Sequence, residues 1–356
     1  MSRTILIMAG GTGGHVFPAL AVADALRARG WDVIWLGTKL GLEAKLVPQH
    51  GYDIEWIRFS GVRGKGALRL LLLPLSLLGA FAQCLGVLRR CRPQVVLGMG
   101  GYVTFPGGMM AALIATPLAI HEQNSIAGLA NKILAKVADR IMAAFPHSLP
   151  GALWTGNPVR RDIAALPPPA VRYGTRSGPL RVLVVGGSLG AQVLNEIVPQ
   201  ALALIADGMR PQVTHQSGAT HIDAVQSGYA AAGVSAELLP FIDDIAARYA
   251  DADLVICRAG AMTIAELAAA GVASMLVPFP HAVDDHQTAN ARFLVDAHAA
   301  MLVPQSEFTP EHVARLLGGL TRASCLAMAQ CARTLAKPDA TEAVASACME
   351  LAGAAR

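Results

Sequence analysis

The sequence predicts two α/β domains, each built around a parallel β-sheet. Short apolar runs alternate with helical stretches along most of the chain, which favours βαβ units with helices on both faces of a sheet. The pattern opens with TILIMA after Arg3 and begins again half a chain later with RVLVVGG from Arg181. A proline-rich stretch separates the two halves. With 356 residues, the chain can form two domains that each have a core of their own.

In the first half, a predicted helix over about Pro18 to Arg29 follows the first apolar run. Such a helix supplies the crossover that two parallel strands need. The other runs are short and bounded by glycine or polar residues, which is typical of buried parallel strands. The strands predicted for this half are TILIMA, DVIWLGT, QVVLGMG and LAIHEQN.

The second half repeats this order, with predicted helices that end near Ile205 and span Thr263 to Ala270. Its predicted strands are RVLVVGG, QVTHQSG, AELLPFI, DLVICRAG and SMLVPFP. Between the halves, DIAALPPPAVRYGTRSGPL predicts a linker with a boundary near Pro167. We therefore predict domains at residues 1–166 and 167–340. An alanine-rich helix over residues 341–356 can pack on either domain, including back on the first.

Charge is distributed unevenly between the halves. The net charge is +4, but residues 1–165 carry 17 Lys and Arg against 8 Asp and Glu, while the rest carries 12 against 17. A basic half suggests an anionic partner, either nucleic acid or a phospholipid surface. Aromatic residues make up only 5% of the chain and are not interleaved with basic residues. Nucleic acid is therefore disfavoured, and an anionic membrane surface is the better prediction.

Cysteine usage and the N-terminal segment both predict a cytoplasmic protein. The six cysteines form no CxxC pair and no paired metal spacing, which suits a reducing compartment. The segment MSRTILIMAGG is too short and too glycine-rich at its end to be a signal peptide.

The longest apolar stretch is predicted to meet a membrane without crossing it. Leu70 to Leu88 contains 19 residues without a charge, which is the length of a membrane span. A span here would place consecutive strands of one sheet on opposite sides of the bilayer. A helix buried against the sheet explains part of the stretch, but cationic residues flank it at both ends, as in peripheral membrane sites. The predicted membrane patch consists of Leu71, Leu72, Leu75, Leu78, Phe81, Arg69, Arg89 and Arg90.

A glycine-rich turn, AGGTGGH, follows the first predicted strand. Bare N–H groups at a helix N-terminus can receive an anion such as a diphosphate. A nicotinamide enzyme is disfavoured, because Val16 takes the place of the last glycine in GxGxxG and Lys39 follows the second strand where a ribose-binding acid is expected. The second domain opens with a similar turn, GGSLGA, and its next strand also lacks the acid. A tight packing turn without a ligand remains the alternative.

His15 stands in the first helical turn after these glycines. We expect its ring to point from the carboxyl edge of the sheet into the crevice where open α/β folds bind ligands. The positive end of the helix dipole disfavours an imidazolium ion, so a neutral ring can accept a proton as a general base. A histidine that serves only as a hydrogen-bond donor at the helix start is the alternative.

Seven motifs of the chain resemble, in order and spacing, those of the MurG family of bacterial glycosyltransferases. They extend from residue 10 to about residue 292 and are GGTGGHVFPALAVADAL, GMGGYVTFPGG, HEQNSIAGLANK, TGNPVR, GGSLGA, CRAGAMTIAELAAAG and DDHQTANAR. This family transfers N-acetylglucosamine (GlcNAc) from UDP-GlcNAc to the muramyl sugar of lipid I, giving lipid II for peptidoglycan. The resemblance implies an inverting glycosyltransferase with the GT-B fold, in which two Rossmann-like domains face a cleft.

The resemblance also implies that the first domain receives lipid I. His15 would take the proton of the attacking 4-hydroxyl, and Glu122 is the next candidate base. In HEQN, Asn124 resembles a sugar or acceptor contact, while His121 fits a hydrogen-bonded loop brace equally well. The acceptor residues implied are Gly10, Gly11, Gly13, Gly14, His15, Gly100, Gly101 and Tyr102.

The donor would lie mainly on the second domain. The GGSLGA turn would face the UDP phosphates, the main chain of Ile242 would contact the uracil edge, and Glu266 would accept hydrogen bonds from the ribose hydroxyls. A solvated or capping glutamate is the alternative for Glu266. The donor residues implied are Thr12, Gly13, Gly14, Asn124, Arg160, Ser188, Ile242, Ala261, Met262, Thr263, Glu266 and Gln287.

One motif departs from the family pattern, because His286 precedes Gln287 where many relatives carry two glutamines. Gln287 keeps an amide for the GlcNAc hydroxyls, and the role of His286 stays open. The family is not built around a DxD-type metal site, so we expect no catalytic metal and no cofactor. The predicted partners are UDP-GlcNAc, lipid I and the anionic phospholipids of the cytoplasmic face of the inner membrane. Another GT-B transferase with a different acceptor and a non-enzymatic nucleotide-sugar-binding protein are the competing hypotheses.

Overall fold

The computed structural model of the protein describes residues 3–59, 72–187 and 189–354. The chain divides into two compact units, Met1–Val159 with Pro338–Arg356 and Arg160–Lys337. The sequence had placed the boundaries after residues 166 and 340. The segment around the three prolines belongs to the second unit, where the buried guanidinium of Arg172 donates to the carbonyl oxygens of Tyr249, Ala270 and Gly271. It is therefore a packed part of that unit rather than a free linker.

The first unit contains a seven-stranded, entirely parallel sheet of order β3-β2-β1-β4-β5-β6-β7. Its strands are β1 (Arg3–Met8), β2 (Trp31–Gly37), β3 (Asp53–Trp56), β4 (Val95–Gly98), β5 (Leu118–Glu122), β6 (Arg140–Ala143) and β7 (Leu153–Trp154). Its first helices are α1 (Gly13–Arg27), α2 (Glu43–Gln49), α3 (Leu73–Cys91), α4 (Thr104–Leu113) and α5 (Leu129–Leu134). Strand β1 is central, and its alternate residues enter two cores, Ile5 and Ile7 on one face and Leu6 and Met8 on the other.

The second unit contains a six-stranded parallel sheet of order β10-β9-β8-β11-β12-β13. Two helices precede the sheet, α6 (Arg161–Ala164) and α7 (Pro169–Gly174). The strands are β8 (Arg181–Val185), β9 (Gln212–Gln216), β10 (Glu237–Leu239), β11 (Leu254–Cys257), β12 (Ala273–Leu276) and β13 (Ala300–Leu302). The other helices are α8 (Gln192–Ala203), α9 (Ile222–Ala231), α10 (Ile245–Asp251), α11 (Ala261–Ala270), α12 (His286–Val295), α13 (Pro310–Gly319) and α14 (Arg322–Thr334).

The last helix, α15 (Ala340–Ala354), returns to the first unit. Val344, Ala345 and Cys348 are buried there in the same apolar cluster as Val16 and Val22 of α1. Helix α1 itself begins at Gly13, earlier than the predicted start at Pro18. The glycine turn therefore leads directly into the helix, and His15 is its third residue.

Helix α3 has one buried and one exposed apolar face. Ala80, Cys84 and Leu88 lie in the core, at the spacing of one helical face. Leu75 and Leu78 are 68% and 62% exposed, so burial against the sheet explains only part of this apolar stretch. Among the residues described, no helix is both long and apolar enough to cross a bilayer. Arg69 and Leu71 of the predicted patch lie outside the described residues.

Candidate active site

A buried carboxylate braces the glycine turn of the first unit. Glu43 of α2 is completely buried. Its Oε2 accepts the N–H of Gly11 at 2.9 Å, and its Oε1 accepts both the N–H and the hydroxyl of Thr38 at 3.0 Å. Gly10 leaves room for this carboxylate, since a Cβ there would lie 2.8 Å from Oε1. The turn is thus tied to the end of β2.

The start of α1 is open for an anion. Its N-cap residue, Thr12, makes no side-chain cap, and the first turn carries no acidic residue. The N–H groups of His15 and Val16 both donate to the carbonyl of Thr12 and make the first backbone hydrogen bonds of the helix. The N–H groups of Gly13 and Gly14 come before these bonds in the chain. Free N–H groups at the positive end of a helix dipole attract anions.

His15 is half-buried beside the second glycine turn, Gly98 to Tyr102. Its Nδ1 lies 2.9 Å from Oε1 of Gln123. Gly100, at φ +97°, leaves space for this contact, because a Cβ there would lie 2.6 Å from the same ring nitrogen. Gly101 packs directly on the backbone of Gly10. The two glycine turns and HEQN, which the sequence assigned to the acceptor, thus come together in one unit.

Gln123 connects His15 to a second, buried histidine. Its Nε2 lies 3.0 Å from Nδ1 of His121, and Nε2 of His121 lies 2.9 Å from the carbonyl oxygen of Gly156. Burial lowers the pKa of His121 to about 4, so this ring is neutral at physiological pH. His121 therefore braces the site from within the core.

Both oxygens of Glu122 are engaged by the loop that follows β5. Oε1 accepts from the backbone N–H of Asn124 at 2.9 Å and from its side-chain amide at 3.4 Å, while Oε2 accepts from the N–H of Gly128 at 3.1 Å and from Asn131 at 2.8 Å. The carboxylate is also buried. These contacts describe a loop brace, which had been the alternative interpretation of HEQN.

Tyr102 belongs to the same cluster. Its hydroxyl lies 2.8 Å from the hydroxyl of Thr38, which also bonds to Glu43. The aromatic ring is thereby held at the ends of β2 and β4, near the glycine turns.

In the second unit, an amide braces the corresponding turn. Oε1 of Gln216 accepts the N–H of Gly187 at 3.0 Å, and its Nε2 donates to the carbonyls of Gly187 at 2.9 Å and Pro240 at 3.2 Å. Helix α8 follows with neither a side-chain cap nor an acidic residue in its first turn. Ser188, the predicted phosphate contact, lies outside the described residues.

The start of α11 in the same unit also has no side-chain cap. Ala261, Met262 and Thr263 form the first turn of α11, which is uncapped and free of acidic residues. Oε1 of Gln287 accepts the N–H groups of Ala259 at 3.3 Å and Phe279 at 2.9 Å. The side-chain carbonyl oxygen of Gln287 thus already accepts hydrogen bonds within the protein, and its NH₂ group is the end suited to donate to a ligand.

Glu266 lies one turn into α11 and is half-buried. Its Oε2 accepts the hydroxyl of Tyr249 at 3.2 Å. Burial raises the pKa of Glu266 to about 7, against the opposing effects of the Tyr249 hydrogen bond and the charge of Arg160. The carboxyl group therefore changes charge near neutral pH.

Arg160 and Ile242 complete the predicted donor residues of the second unit. Arg160 is exposed and paired with Asp162 through two hydrogen bonds of 3.2 and 2.7 Å. The side chain of Ile242 is buried, so a ligand at this position meets its main chain. The other four predicted donor residues, Thr12, Gly13, Gly14 and Asn124, belong to the first unit.

Three residues of these sites were missed by the sequence analysis, namely Glu43, Gln123 and Gln216. Gln123 stands inside the HEQN motif, whose strand-end position could have indicated it. Glu43 and Gln216 brace glycine turns 32 and 29 residues away in the chain, and no local pattern marks them. In the part of the chain that the structure describes, no group of three His, Cys, Asp or Glu side chains could hold a metal ion.

Comparisons with known proteins identify the family. Residues 5–143 match the glycosyltransferase family 28 N-terminal domain, and residues 181–344 match the glycosyltransferase family 28 C-terminal domain. The chain belongs to this family. The UDP-N-acetylglucosamine--N-acetylmuramyl-(pentapeptide) pyrophosphoryl-undecaprenol N-acetylglucosamine transferases of Cupriavidus metallidurans and Dechloromonas aromatica are 63% and 62% identical to it over 352 residues, 99% of this chain and 99% and 100% of theirs.

A solved structure of this family agrees. The crystal structure of Acinetobacter baumannii MurG is 42% identical and superposes with a TM-score of 0.88, covering 98% of this chain and 99% of its own. The family 28 match and the two parallel sheets confirm the predicted GT-B fold class, and the predicted membership of the MurG family is confirmed as well.

Proposed function

We propose that this family 28 protein transfers GlcNAc from UDP-GlcNAc to the 4-hydroxyl of the muramyl sugar of lipid I, giving lipid II and UDP. The observation that carries the proposal is the placement of His15 at the open start of α1, in a chain 62–63% identical over its length to transferases of that name. Such identity over almost whole chains favours this acceptor over that of another GT-B enzyme. A protein that only bound the nucleotide sugar would need no base at this turn.

In the proposed reaction, Nε2 of His15 accepts the proton of the acceptor hydroxyl as that oxygen attacks the anomeric carbon. The bond to the UDP oxygen breaks, and the configuration at the anomeric carbon inverts. A positioned base contributes about 10²- to 10⁴-fold to the rate. We assign Glu122 to the loop and not to proton transfer, because both of its oxygens already accept hydrogen bonds.

The acceptor diphosphate would lie against the N–H groups of Gly13 and Gly14, beside Gly100, Gly101 and Tyr102. The donor diphosphate would lie against the uncapped starts of α8 and α11, whose dipoles stabilise the charge of the departing UDP. Glu266 offers its Oε1 to the ribose hydroxyls, Gln287 offers its NH₂ to the sugar, and the main chain of Ile242 offers contacts to uracil. No metal or cofactor takes part in this scheme.

The exposed face of α3 supports a peripheral location on an anionic membrane surface. Leu72, Leu75 and Leu78 recur every three residues on that face, and the exposed Arg89 and Arg90 follow at the other end of the helix, where Arg90 also pairs with Glu55 at 2.5 Å. Apolar side chains with neighbouring cations bind at the boundary of headgroups and acyl chains, each cation contributing about 1 kcal/mol. Because lipid I is a membrane lipid, the protein would work on the cytoplasmic face of the bacterial inner membrane.

Turnover tests the activity directly. UDP-GlcNAc labelled in the sugar is incubated with a soluble lipid I analogue, and labelled disaccharide is expected with inverted anomeric configuration by NMR. UDP-GalNAc and an acceptor lacking the 4-hydroxyl are the controls. Hydrolysis of UDP-GlcNAc without transfer, or transfer only to unrelated acceptors, would exclude the proposal.

Vesicle binding tests the location. Replacing Leu75 and Leu78 together by Glu is expected to reduce binding to phosphatidylglycerol vesicles, with turnover of the soluble analogue nearly unchanged. Leu204→Glu, at a residue 58% exposed on the second unit, is the matched control and is expected to bind vesicles normally. If turnover of the soluble analogue is lost together with vesicle binding, the exposed leucines are structural.

A further inference from the structure

The side chain of Gln123 lies between two histidine rings and faces each with a different end. Oε1 faces Nδ1 of His15 at 2.9 Å, and Nε2 faces Nδ1 of His121 at 3.0 Å. An amide oxygen only accepts and an amide nitrogen only donates, whereas each nitrogen of a neutral imidazole donates or accepts according to the tautomer. The orientation of this one amide therefore determines which tautomer each ring adopts.

A backbone carbonyl determines the direction of the chain of hydrogen bonds. The oxygen of Gly156 can only accept, so Nε2 of His121 must carry a hydrogen and donate to it at 2.9 Å. Burial keeps this ring neutral, and its Nδ1 is then a lone pair. Only the NH₂ end of Gln123 can face that lone pair. The carbonyl end is left for His15, whose Nδ1 must then carry the hydrogen.

We propose that Gln123 is a positioning residue for the base: anchored through His121 to the carbonyl of Gly156, it holds His15 in the tautomer protonated at Nδ1, with the lone pair at Nε2. This is the nitrogen left to receive the acceptor proton. The inference rests on the proposed function for the use of that lone pair, but the tautomer itself can be measured without turnover.

The surroundings of Gln123 support this assignment. Gln123 is 1% exposed and its own carbonyl accepts the side-chain amide of Asn157 at 3.0 Å, so the residue is held at both ends. Gly100 leaves the space in which the His15 contact forms, because a Cβ there would lie 3.1 Å from Oε1 of Gln123.

The direct test is the tautomer of His15 by NMR of protein with ¹⁵N-labelled histidine rings, with the His15 signals identified by their loss in His15→Ala. The wild-type protein is expected to show His15 protonated at Nδ1. In Gln123→Met, which keeps the volume but removes both amide ends, His15 is expected to shift towards protonation at Nε2. Gln216→Met, at an equally buried glutamine of the other unit, is expected to leave the His15 signals unchanged. A His15 ring that stays protonated at Nδ1 in Gln123→Met would overturn the proposal.

Kinetics provide a second readout. Gln123→Met is expected to lower kcat about 5- to 10-fold with the donor KM unchanged, and Gln123→Glu, whose oxygen still accepts from Nδ1, is expected to recover part of the loss. In a His15→Ala background, Gln123→Met is expected to cause no further loss of kcat. An equal loss in both backgrounds would assign Gln123 a merely structural role. If wild-type protein shows the expected tautomer but His15→Ala keeps normal kcat, the proposed base fails while the tautomer assignment stands.

Discussion

The glycine turns that follow β1 and β8 have the same place in their units but different braces. Each follows the central first strand of a parallel sheet and leads into an uncapped helix. The first is held by the buried carboxylate of Glu43, and the second by the amide of Gln216. A carboxylate only accepts, so it takes the N–H of Gly11 away from any ligand and places a negative charge behind the turn. The amide both accepts and donates and adds no charge.

We infer from this difference that the turn after β1 serves the chemical step and the turn after β8 serves anion binding. A negative charge on Glu43 would repel a diphosphate at the first turn, whereas the uncharged amide of Gln216 would leave the attraction of the helix dipole at the second turn unopposed. The first turn leads to His15, which lies close to Gln123 and Gly100. We therefore expect substitutions at the first turn to change kcat or stability, and substitutions at the second to change donor KM.

The largest effect is expected for His15→Ala. Loss of the base should lower kcat by about 10²-fold or more with the donor KM unchanged, because the residue acts in the transition state. Steady-state kinetics with the soluble lipid I analogue measures this. A variant with near-normal kcat and a raised acceptor KM would make His15 a contact to the acceptor only.

Glu43→Gln is expected to cost stability. An amide can accept from only one side, so the N–H of Gly11 or the donors of Thr38 lose their partner, at a cost of about 1–3 kcal/mol. Chemical denaturation measures the free energy of unfolding. Glu342→Gln, at an exposed glutamate of the same unit, is the control and should stay within about 0.5 kcal/mol of wild type. Equal stability of both variants would show that the turn does not depend on its brace.

Gln216→Glu makes the second brace resemble the first. Its new oxygen would face the carbonyls of Gly187 and Pro240, and the added charge would repel the donor diphosphate. We expect the donor KM and the dissociation constant of UDP, measured by calorimetry, to rise about 10-fold, with a smaller change in kcat. Unchanged UDP affinity would place the diphosphate away from this turn.

The smallest effect is a pH dependence of donor binding through Glu266. Its pKa is about 7, and ribose hydroxyls donate best to the ionised form, so the donor KM should rise as pH falls below 7, by at most about 10-fold per pH unit. Glu266→Gln should show a flat profile over this range. The stability of the fold changes with pH in the opposite direction from donor binding. Because folding raises the pKa of this carboxyl group, the fold becomes less stable as pH rises from 4.5 to 7. A wild-type donor KM that is flat from pH 5.5 to 8 would remove Glu266 from the ribose site.

The strands of both sheets could be predicted from the sequence, because the pattern that marks a strand is carried by neighbouring residues. The runs at Arg3 and Arg181 became the central strands of both units, and the glycines after them became turns. Helix α1 was predicted to begin at about Pro18, five residues too late. Here Pro18 lies inside the helix, and Gly13 begins it.

The hydrogen bonds within the sites could not be predicted in the same way. Glu43 and Gln216 reach glycines that are distant in the chain, and the contact of His15 with Gln123 joins residues 108 positions apart. Such pairs depend on which strands become neighbours in the sheet. Glu122 shows the same limit, since its position at a strand end made it a candidate base and only the structure shows the loop that bonds to both of its oxygens.

Helix α15 determines the order in which the molecule can be completed during synthesis. The apolar cluster around β1 contains Val344, Cys348 and Ala352, which follow every residue of the second unit in the chain and are therefore synthesised after that unit. The unit that carries His15 is therefore started before the second unit and completed after it. A chain that stops at Lys337 contains the whole second unit but lacks the helix that completes the core around β1 and α1.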